Sequence, residues 1–397
     1  MINSTDSIEK TKFSSKFIFL GLIFLFLGNG QNIQIAGNAP LFIVATVCNT
    51  LTLVVFDKKI HSNYITYCLM ILLVFNVIYW GIGTYDHGIA MGLFLNLLLI
   101  ITTMNTMNSN KDIKIIIDGV IYSSVIFGIL LLLYGKGYSG AIYDKMTYTQ
   151  TFGNHIEFEP NFLALLLITG FEFCVWAVIK SIDSRKKKNV ILYSIFAAIT
   201  LLSSLMTGSR SVLITACIYG VLLILFMKNH KTRNKLLFVI LLLIIVLIIA
   251  IQKGVFSQDI YKRLFENSYN DNSNGRRLEN WQYGLKVMMD KPFGAGPFES
   301  SIILYTLYGY HNAAHNTFVA FGTYFGFLGV IAFAALPIGL AISAWKLKQR
   351  ELFAMIISMI FEWNVLECQH TLSMWIFLLI CILIINRLKQ GKEINIF

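Results

Sequence analysis

Residues 236–252 read LLFVILLLIIVLIIAIQ, and this stretch decides the fold. No charge falls between Lys235 and Lys253. A membrane crossing takes about 20 mostly apolar residues, and only a helix satisfies its own backbone groups in hydrocarbon. Working outward from this run, similar apolar stretches give approximate spans at 15–29, 37–56, 63–83, 88–107, 114–134, 160–180, 190–207, 210–227, 236–252, 327–345, 352–367 and 372–387. The expected fold is all-α and polytopic, with about 12 transmembrane helices embedded in a lipid bilayer. Composition agrees: of 397 residues 56% are hydrophobic and 13% charged, where soluble domains carry about 25% charged residues. A soluble fold is excluded.

The formal charge of +11 would in a soluble chain suggest nucleic acid. Here no nucleic acid is expected, because the basic residues sit between the apolar runs. They follow every even-numbered span: Lys58 and Lys59, Lys111 and Lys114, Arg185 to Lys188, Lys228 to Lys235, Lys346 to Arg350, and Arg387 to Lys392. Lys and Arg are retained on the cytoplasmic side, so both termini are expected inside and the odd-numbered loops outside. Lys10, Lys12 and Lys16 before Phe17–Leu27 have the outline of a secretory signal, but no small-residue cleavage site follows, and an uncleaved first helix is expected. The six cysteines fall in or beside apolar runs without close pairing and read as small hydrophobes.

Two outward segments are too long to be turns, 135–159 and 253–326. The second divides the chain into 1–252 with nine spans, 253–326 as a large structured external loop between helices 9 and 10, and 327–397 with three spans and a cytoplasmic tail. Inside the loop, Leu278, Trp281, Leu285 and Met288 recur at helical spacing, which predicts an amphipathic helix at the outer interface. Pro292 ends it, and Gly294, Gly296 and Pro297 turn the chain. The apolar run from His315 to Phe325 is too short to cross and predicts a half-helix continuing into the tenth span.

Cations on the outer face are exceptions to the charge rule. They are Arg210 in Thr207-Gly208-Ser209-Arg210-Ser211, the pair Arg276 and Arg277, and His315 in the run His311 to Asn316. Arg210 could snorkel to headgroups, or its planar fork could hold a phosphate. Arg276 and Arg277 could touch anionic lipid equally well. His311 and His315 have the spacing of two metal ligands on one helical face, but a third ligand is not evident and Gly309 argues against helix there. No metal is expected.

Taken in order, Thr207-Gly208-Ser209-Arg210-Ser211, Arg277-x-x-x-Trp281, Pro292-x-Gly294-x-Gly296 and His315-Asn316 followed by Gly326 and Gly329 resemble the O-antigen ligase and polymerase family of bacterial envelope glycosyltransferases. The resemblance covers about 190–345, with Glu159-Pro160-Asn161 also similar. The family usually has a single Arg where this chain has Arg276-Arg277, and the Trp281 spacing favours Arg277.

What the resemblance implies is a metal-independent, cofactor-free transfer on the outer face of the bacterial cytoplasmic membrane, from an undecaprenyl-diphosphate-linked glycan and with inversion. Repeat units would be polymerised into O-antigen, capsule or another surface polysaccharide. A ligase moving the finished glycan to another acceptor is the alternative within the class. Flippase and chain-length regulator proteins would be the partners. In a metal-free site Arg210 and Arg277 would stabilise the leaving diphosphate, with Arg276, Glu159, Asn161, Trp281 and Asn316 holding diphosphate or glycan. His315 would take the acceptor proton, unless a carboxylate, Glu159 or Glu299, does so. The competing reading is a transporter of the lipid-linked glycan, suggested by the intramembrane carboxylates Asp118, Glu172 and Glu362. Against it, no related halves are visible and the polar groups concentrate in one external loop.

Overall fold

The computed structural model describes residues 4–24, 39–56, 60, 62–107, 109–137, 146–147, 159–254, 256, 258–265, 273–394 and 396–397. Lys58, Lys59 and most of segment 135–159 lie outside the described residues. Apart from a two-residue antiparallel pairing of Lys136–Gly137 with Met146–Thr147, the regular structure there is helical. In chain order the helices are α1 (Ser4–Phe24), α2 (Ala39–Val55), α3 (Tyr64–Gly81), α4 (His87–Thr106), α5 (Asn110–Tyr134), α6 (Pro160–Asp183), α7 (Lys187–Met206), α8 (Arg210–Phe226) and α9 (His230–Gln252). They continue with α10 (Gln258–Phe265), α11 (Ser273–Asp290), α12 (Ser300–Tyr308), α13 (Thr317–Lys346), α14 (Arg350–Val365) and α15 (Leu372–Lys389).

Eight of these, α3 to α7, α9, α13 and α15, are long and apolar enough to cross a membrane. The chain is a multi-pass helical membrane protein. The other four expected spans are occupied by α1, α2, α8 and α14, whose apolar stretches are shorter, such as Phe13–Ile23, Leu41–Val55 and Arg210–Phe226. Between α9 and α13 the chain forms α10, α11 and α12, of which only α11 was predicted.

Helix α6 is the axis of the bundle. Glu159 caps it and Pro160 begins it, a position where the missing proline N–H costs nothing. Almost the whole helix is buried against α5, α7, α8, α14 and α15. The carboxylates inside the bundle are held by neighbours: Lys114 Nζ donates to Asp118 at 2.8 Å, and Ser358 Oγ donates to Glu172 Oε1 at 2.6 Å.

Loops sort to two ends of the bundle. At one, Thr232 Oγ1 donates to Asp183 Oδ1 at 2.6 Å, Lys180 lies 3.8 Å from Glu351, and a small cavity is shared by Lys228, Lys348 and Arg350. Asn110 meets the Glu393 carbonyl, so the carboxyl-terminal tail packs beside the turn before α5. Every one of these segments is a basic even-numbered loop or the basic tail. The other end gathers 83–89, 159–162, 292–316 and 366–371.

The tightest interlock in the fold lies at that second end. Helix α13 contains a break at Gly326, whose φ of 65° and ψ of −155° separate the predicted half-helix from the span that follows. The Pro292–Pro297 turn plugs the break: Phe327 N–H donates to the Pro292 carbonyl at 3.1 Å, while Ala295 and Gly296 N–H donate to the Thr323 and Tyr324 carbonyls at 2.8 and 3.0 Å. Tyr79 of α3 donates to the Phe293 carbonyl at 2.6 Å, and Asp86 N–H to the Pro297 carbonyl at 2.9 Å. Thus the Pro-x-Gly-x-Gly motif and Gly326, far apart in sequence, are two halves of one joint.

Helix α11 packs on α13, with Gly284 seated against Val319 and Met288 against Gly322. Of the predicted apolar face, only Met288 is buried in protein; Leu278 and Leu285 are exposed and free to meet lipid.

At Gly326 a Cβ would fall onto the Pro292 carbonyl oxygen, in a backbone region that L-residues avoid. Gly326→Ala should therefore destabilise the protein by about 2 kcal/mol or more. The expected reading is a melting temperature lowered by several degrees in detergent-purified protein, and an unchanged value would count against the joint.

Candidate active site

A cavity of about 800 Å³ opens at the end of the bundle where the joint lies. Its wall comes from five places in sequence: Asp86 and His87 at the start of α4, Glu159 and Asn161 at the start of α6, Glu299 to Ser301 at the start of α12, His315 before α13, and Glu367 and His370 between α14 and α15. Each is a helix start or a connecting loop, because a polar side chain survives at a bundle end where it can meet water. Of the residues singled out in the sequence, the cavity brings together His315, Glu159, Asn161 and Glu299.

Among the described residues His315 is one of three non-glycine residues with positive φ, at 48°, and its side chain is exposed to the cavity. The strain is held by a hydrogen-bonded brace. Its backbone N–H donates to the Glu367 carboxylate, and Ser300 Oγ donates to Glu367 Oε2 at 2.5 Å while accepting from Ala314 N–H at 2.8 Å. Gln369 Nε2 donates to Glu367 Oε1 at 2.9 Å and to the Tyr324 hydroxyl at 2.7 Å. Next in the chain, Thr317 Oγ1 donates to the Leu366 carbonyl and accepts from Cys368 N–H. The loop after α14 therefore fixes the backbone on which His315 stands.

Glu159 is engaged in capping. Its Oε2 accepts from the N–H groups of Asn161 and Phe162 at 2.8 and 3.0 Å, and its Oε1 from Asn161 Nδ2 at 2.6 Å. Glu299, at the N-cap position of α12, makes no capping bond and its side chain is exposed. Asn316 is buried and caps α13, its Oδ1 accepting from Phe318 and Val319 N–H at 2.9 and 3.1 Å and its Nδ2 reaching Asn364 at 3.4 Å. His370 is buried with its ring edge-on to Phe162, and burial lowers its pKa to about 4. At neutral pH it is an uncharged ring at the cavity wall.

A second centre lies at Glu362. Glu362, buried in α14, accepts from Ser211 Oγ at 2.8 Å and from Thr215 Oγ1 at 2.7 Å. Arg277 lies within electrostatic reach of the same carboxylate, and Arg210, half-buried at the first position of α8, precedes Ser211 directly. Asn364, half a turn from Glu362, joins this centre to Asn316 and so to His315. Arg276 is exposed, and Trp281 sits half-buried one turn after Arg277; neither lines the cavity. Among the described residues no three His, Cys, Asp or Glu side chains converge as metal ligands.

Sequence reading missed Glu367, Gln369, His370 and Asp86-His87. The signal available was Glu367-Cys368-Gln369-His370, a polar run between two apolar spans in a turn that needs only a few residues.

Removing the brace should misplace the imidazole, and a displacement near 1 Å can cost about 10²-fold in rate. Glu367→Ala is expected to lower turnover by that order at unchanged membrane level, with Glu367→Gln, which still accepts at its amide oxygen, retaining more. Turnover and membrane abundance measured together check this, and an unimpaired Ala variant would remove the brace from the mechanism.

No curated protein matches the chain. A family model described as O-antigen ligase matches residues 195–334, from within α7 to within α13. That region holds Arg210, Arg277, the Pro292–Pro297 turn, His315 and Gly326, the residues on which the sequence resemblance rested. The chain is a multi-pass helical membrane protein whose residues 195–334 are similar to the O-antigen ligase family.

Proposed function

We propose that this protein polymerises undecaprenyl-diphosphate-linked repeat units into a surface polysaccharide on the outer face of the bacterial cytoplasmic membrane, with both termini inside. The observation that carries the reading is the pairing of two centres: a cavity whose polar groups include His315, Glu159, Glu299 and Glu367, and a second centre where Arg277 lies within electrostatic reach of buried Glu362, whose hydrogen-bond partner Ser211 follows Arg210 in the chain. A diphosphate carries charge that the cavity would repel and the arginines would hold. An acceptor sugar is uncharged and hydroxyl-rich, which suits carboxylates and imidazoles.

In the step itself, the acceptor hydroxyl attacks the anomeric carbon of the donor as the bond from that carbon to the diphosphate oxygen breaks. The proton passes to His315 Nε2 or Nδ1, and the electron pair leaves with the diphosphate. Arg210 and Arg277 stabilise the charge that develops there, a role worth about 10²- to 10³-fold per donor in comparable sites. Attack from the face opposite the leaving group inverts the anomeric centre. Partner flippase and chain-length proteins would supply the donor and limit the product.

Deleting the encoding gene and sizing the surface glycan tests the reading: single repeat units on lipid are expected. Long chains left on lipid would instead make the protein a ligase, and normal glycan would end both assignments.

Arg210→Lys keeps the charge and loses the bidentate fork. It is expected to abolish transfer in membranes that contain normal amounts of the protein, and full activity would remove Arg210 from the diphosphate site. His315→Ala should lower turnover by about 10²- to 10⁴-fold with donor affinity little changed. If donor affinity falls and turnover at saturating donor survives, His315 is a diphosphate ligand and Glu299 becomes the base to examine.

A further inference from the structure

Helices α11 and α12 expose a cluster of rings that the transfer step does not use. Tyr283 stacks on Tyr310 with centroids 4.2 Å apart and is 5.7 Å from Tyr308, while Tyr305 lies 4.3 Å from the His311 ring. Tyr305 is 53% exposed and His311 is exposed, so their faces are open. Around the rings runs an edge of hydrogen-bonding groups. Tyr308 donates to Asp290 and Tyr310 to Asn280, both at 2.6 Å, and Lys286 Nζ sits 4.5 Å over the Tyr308 ring.

An aromatic belt facing lipid would leave its hydroxyls to headgroups and carry few carboxylates. Here the hydroxyls of Tyr308 and Tyr310 are tied to protein side chains, and Asp290 and Glu279 are exposed beside them. Flat apolar faces rimmed by fixed donors and acceptors match the alternating C–H faces and hydroxyl edges of a neutral sugar chain. The cluster is also continuous with the cavity. Helix α12 begins at Ser300 and Ser301 in the cavity wall and carries Tyr305 and Tyr308 about 13 Å outward, and the returning segment passes Tyr310 and His311 before reaching His315.

We propose that the Tyr283, Tyr305, Tyr308, Tyr310 and His311 cluster is a second glycan-binding subsite that holds the non-reacting part of a glycan whose end occupies the cavity. The proposal rests on the glycosyltransferase reading above and extends it to substrates longer than one repeat unit. The occupant is a neutral or weakly charged oligosaccharide, since a polyanion would meet Asp290 and Glu279.

The test uses the purified full-length protein and oligosaccharides of one and three repeat units, freed of lipid and diphosphate by mild acid from the surface polysaccharide of the source cells. Binding is measured by calorimetry, and transfer from a single-repeat lipid-linked donor is measured alongside. The Tyr305→Ala/His311→Ala double variant is expected to bind the three-repeat probe about tenfold more weakly, from the loss of two stacking faces, and to keep single-repeat turnover. Tyr305→Phe, which keeps the face, should bind like wild type. Equal binding of the three-repeat probe by wild type and double variant, with transfer intact, would overturn the subsite and leave the enzyme reading standing. Loss of single-repeat turnover in the double variant would also overturn it, by placing the rings in the reaction centre. A wild type that neither binds the probes nor transfers would end both.

Discussion

A helix broken where it is buried has to find partners for the backbone groups that the break releases, because each buried unsatisfied amide or carbonyl costs several kcal/mol. In α13 the break at Gly326 is satisfied by the Pro292–Pro297 turn, and this one constraint organises the reactive end of the molecule. It ends α11, holds the start of α12, and ties both to α3 and α4 through Tyr79 and Asp86. It also separates 317–325 from the span that follows, so that His315, ahead of this segment, stands at the cavity wall. The glycines follow from the geometry: Gly294, Gly296 and Gly326 all take positive φ at a point where backbone meets backbone.

The second organising element is the separation of charge at that end. The titratable groups on the cavity wall are carboxylates and imidazoles, while Arg277 lies within electrostatic reach of Glu362 and Arg210 stands next to Ser211, which holds that carboxylate. A lone buried carboxylate would be costly, and so would guanidiniums held close together without a counter-charge. Ser211 and Thr215 hydroxyls hold the Glu362 oxygens, so the carboxylate keeps one orientation toward the cations.

What the sequence disclosed was whatever depends on local pattern. Alternation of Lys and Arg between apolar runs sorted the loops, and the structure brings those loops to one end. Pro292, Gly294 and Gly296 announced a turn, and Gly309, which argued against a helix through His311 and His315, sits as a left-handed cap on α12. What stayed hidden depends on contacts between distant segments. Nothing near Gly294 says that Gly326 is its partner. Glu367 reads as a stray charge at a span end until His315 and Ser300 are seen bound to it. Helices α10 and α12 are too short for a periodic pattern to show. In α11 the periodic pattern showed the helix but not its contact, which is made by Gly284 against Val319 and Met288 against Gly322.

The carboxylates within the bundle bear on the choice between enzyme and transporter. A proton or ion path needs groups that can exchange partners along a connected, hydrated route. Asp118 is instead locked to Lys114 one turn away on its own helix, and Glu172 is fully buried against Ser358 on the nearly solvent-free axis of α6. Glu362 faces the arginines at the end where the cavity opens. Asp118 and Glu362 each have neighbours that fix one conformation, and Glu172 is held through one oxygen by Ser358. Rigid helices with fixed charges at one end suit a chemistry that positions two substrates, whereas alternating access would require the same helices to rearrange around those charges.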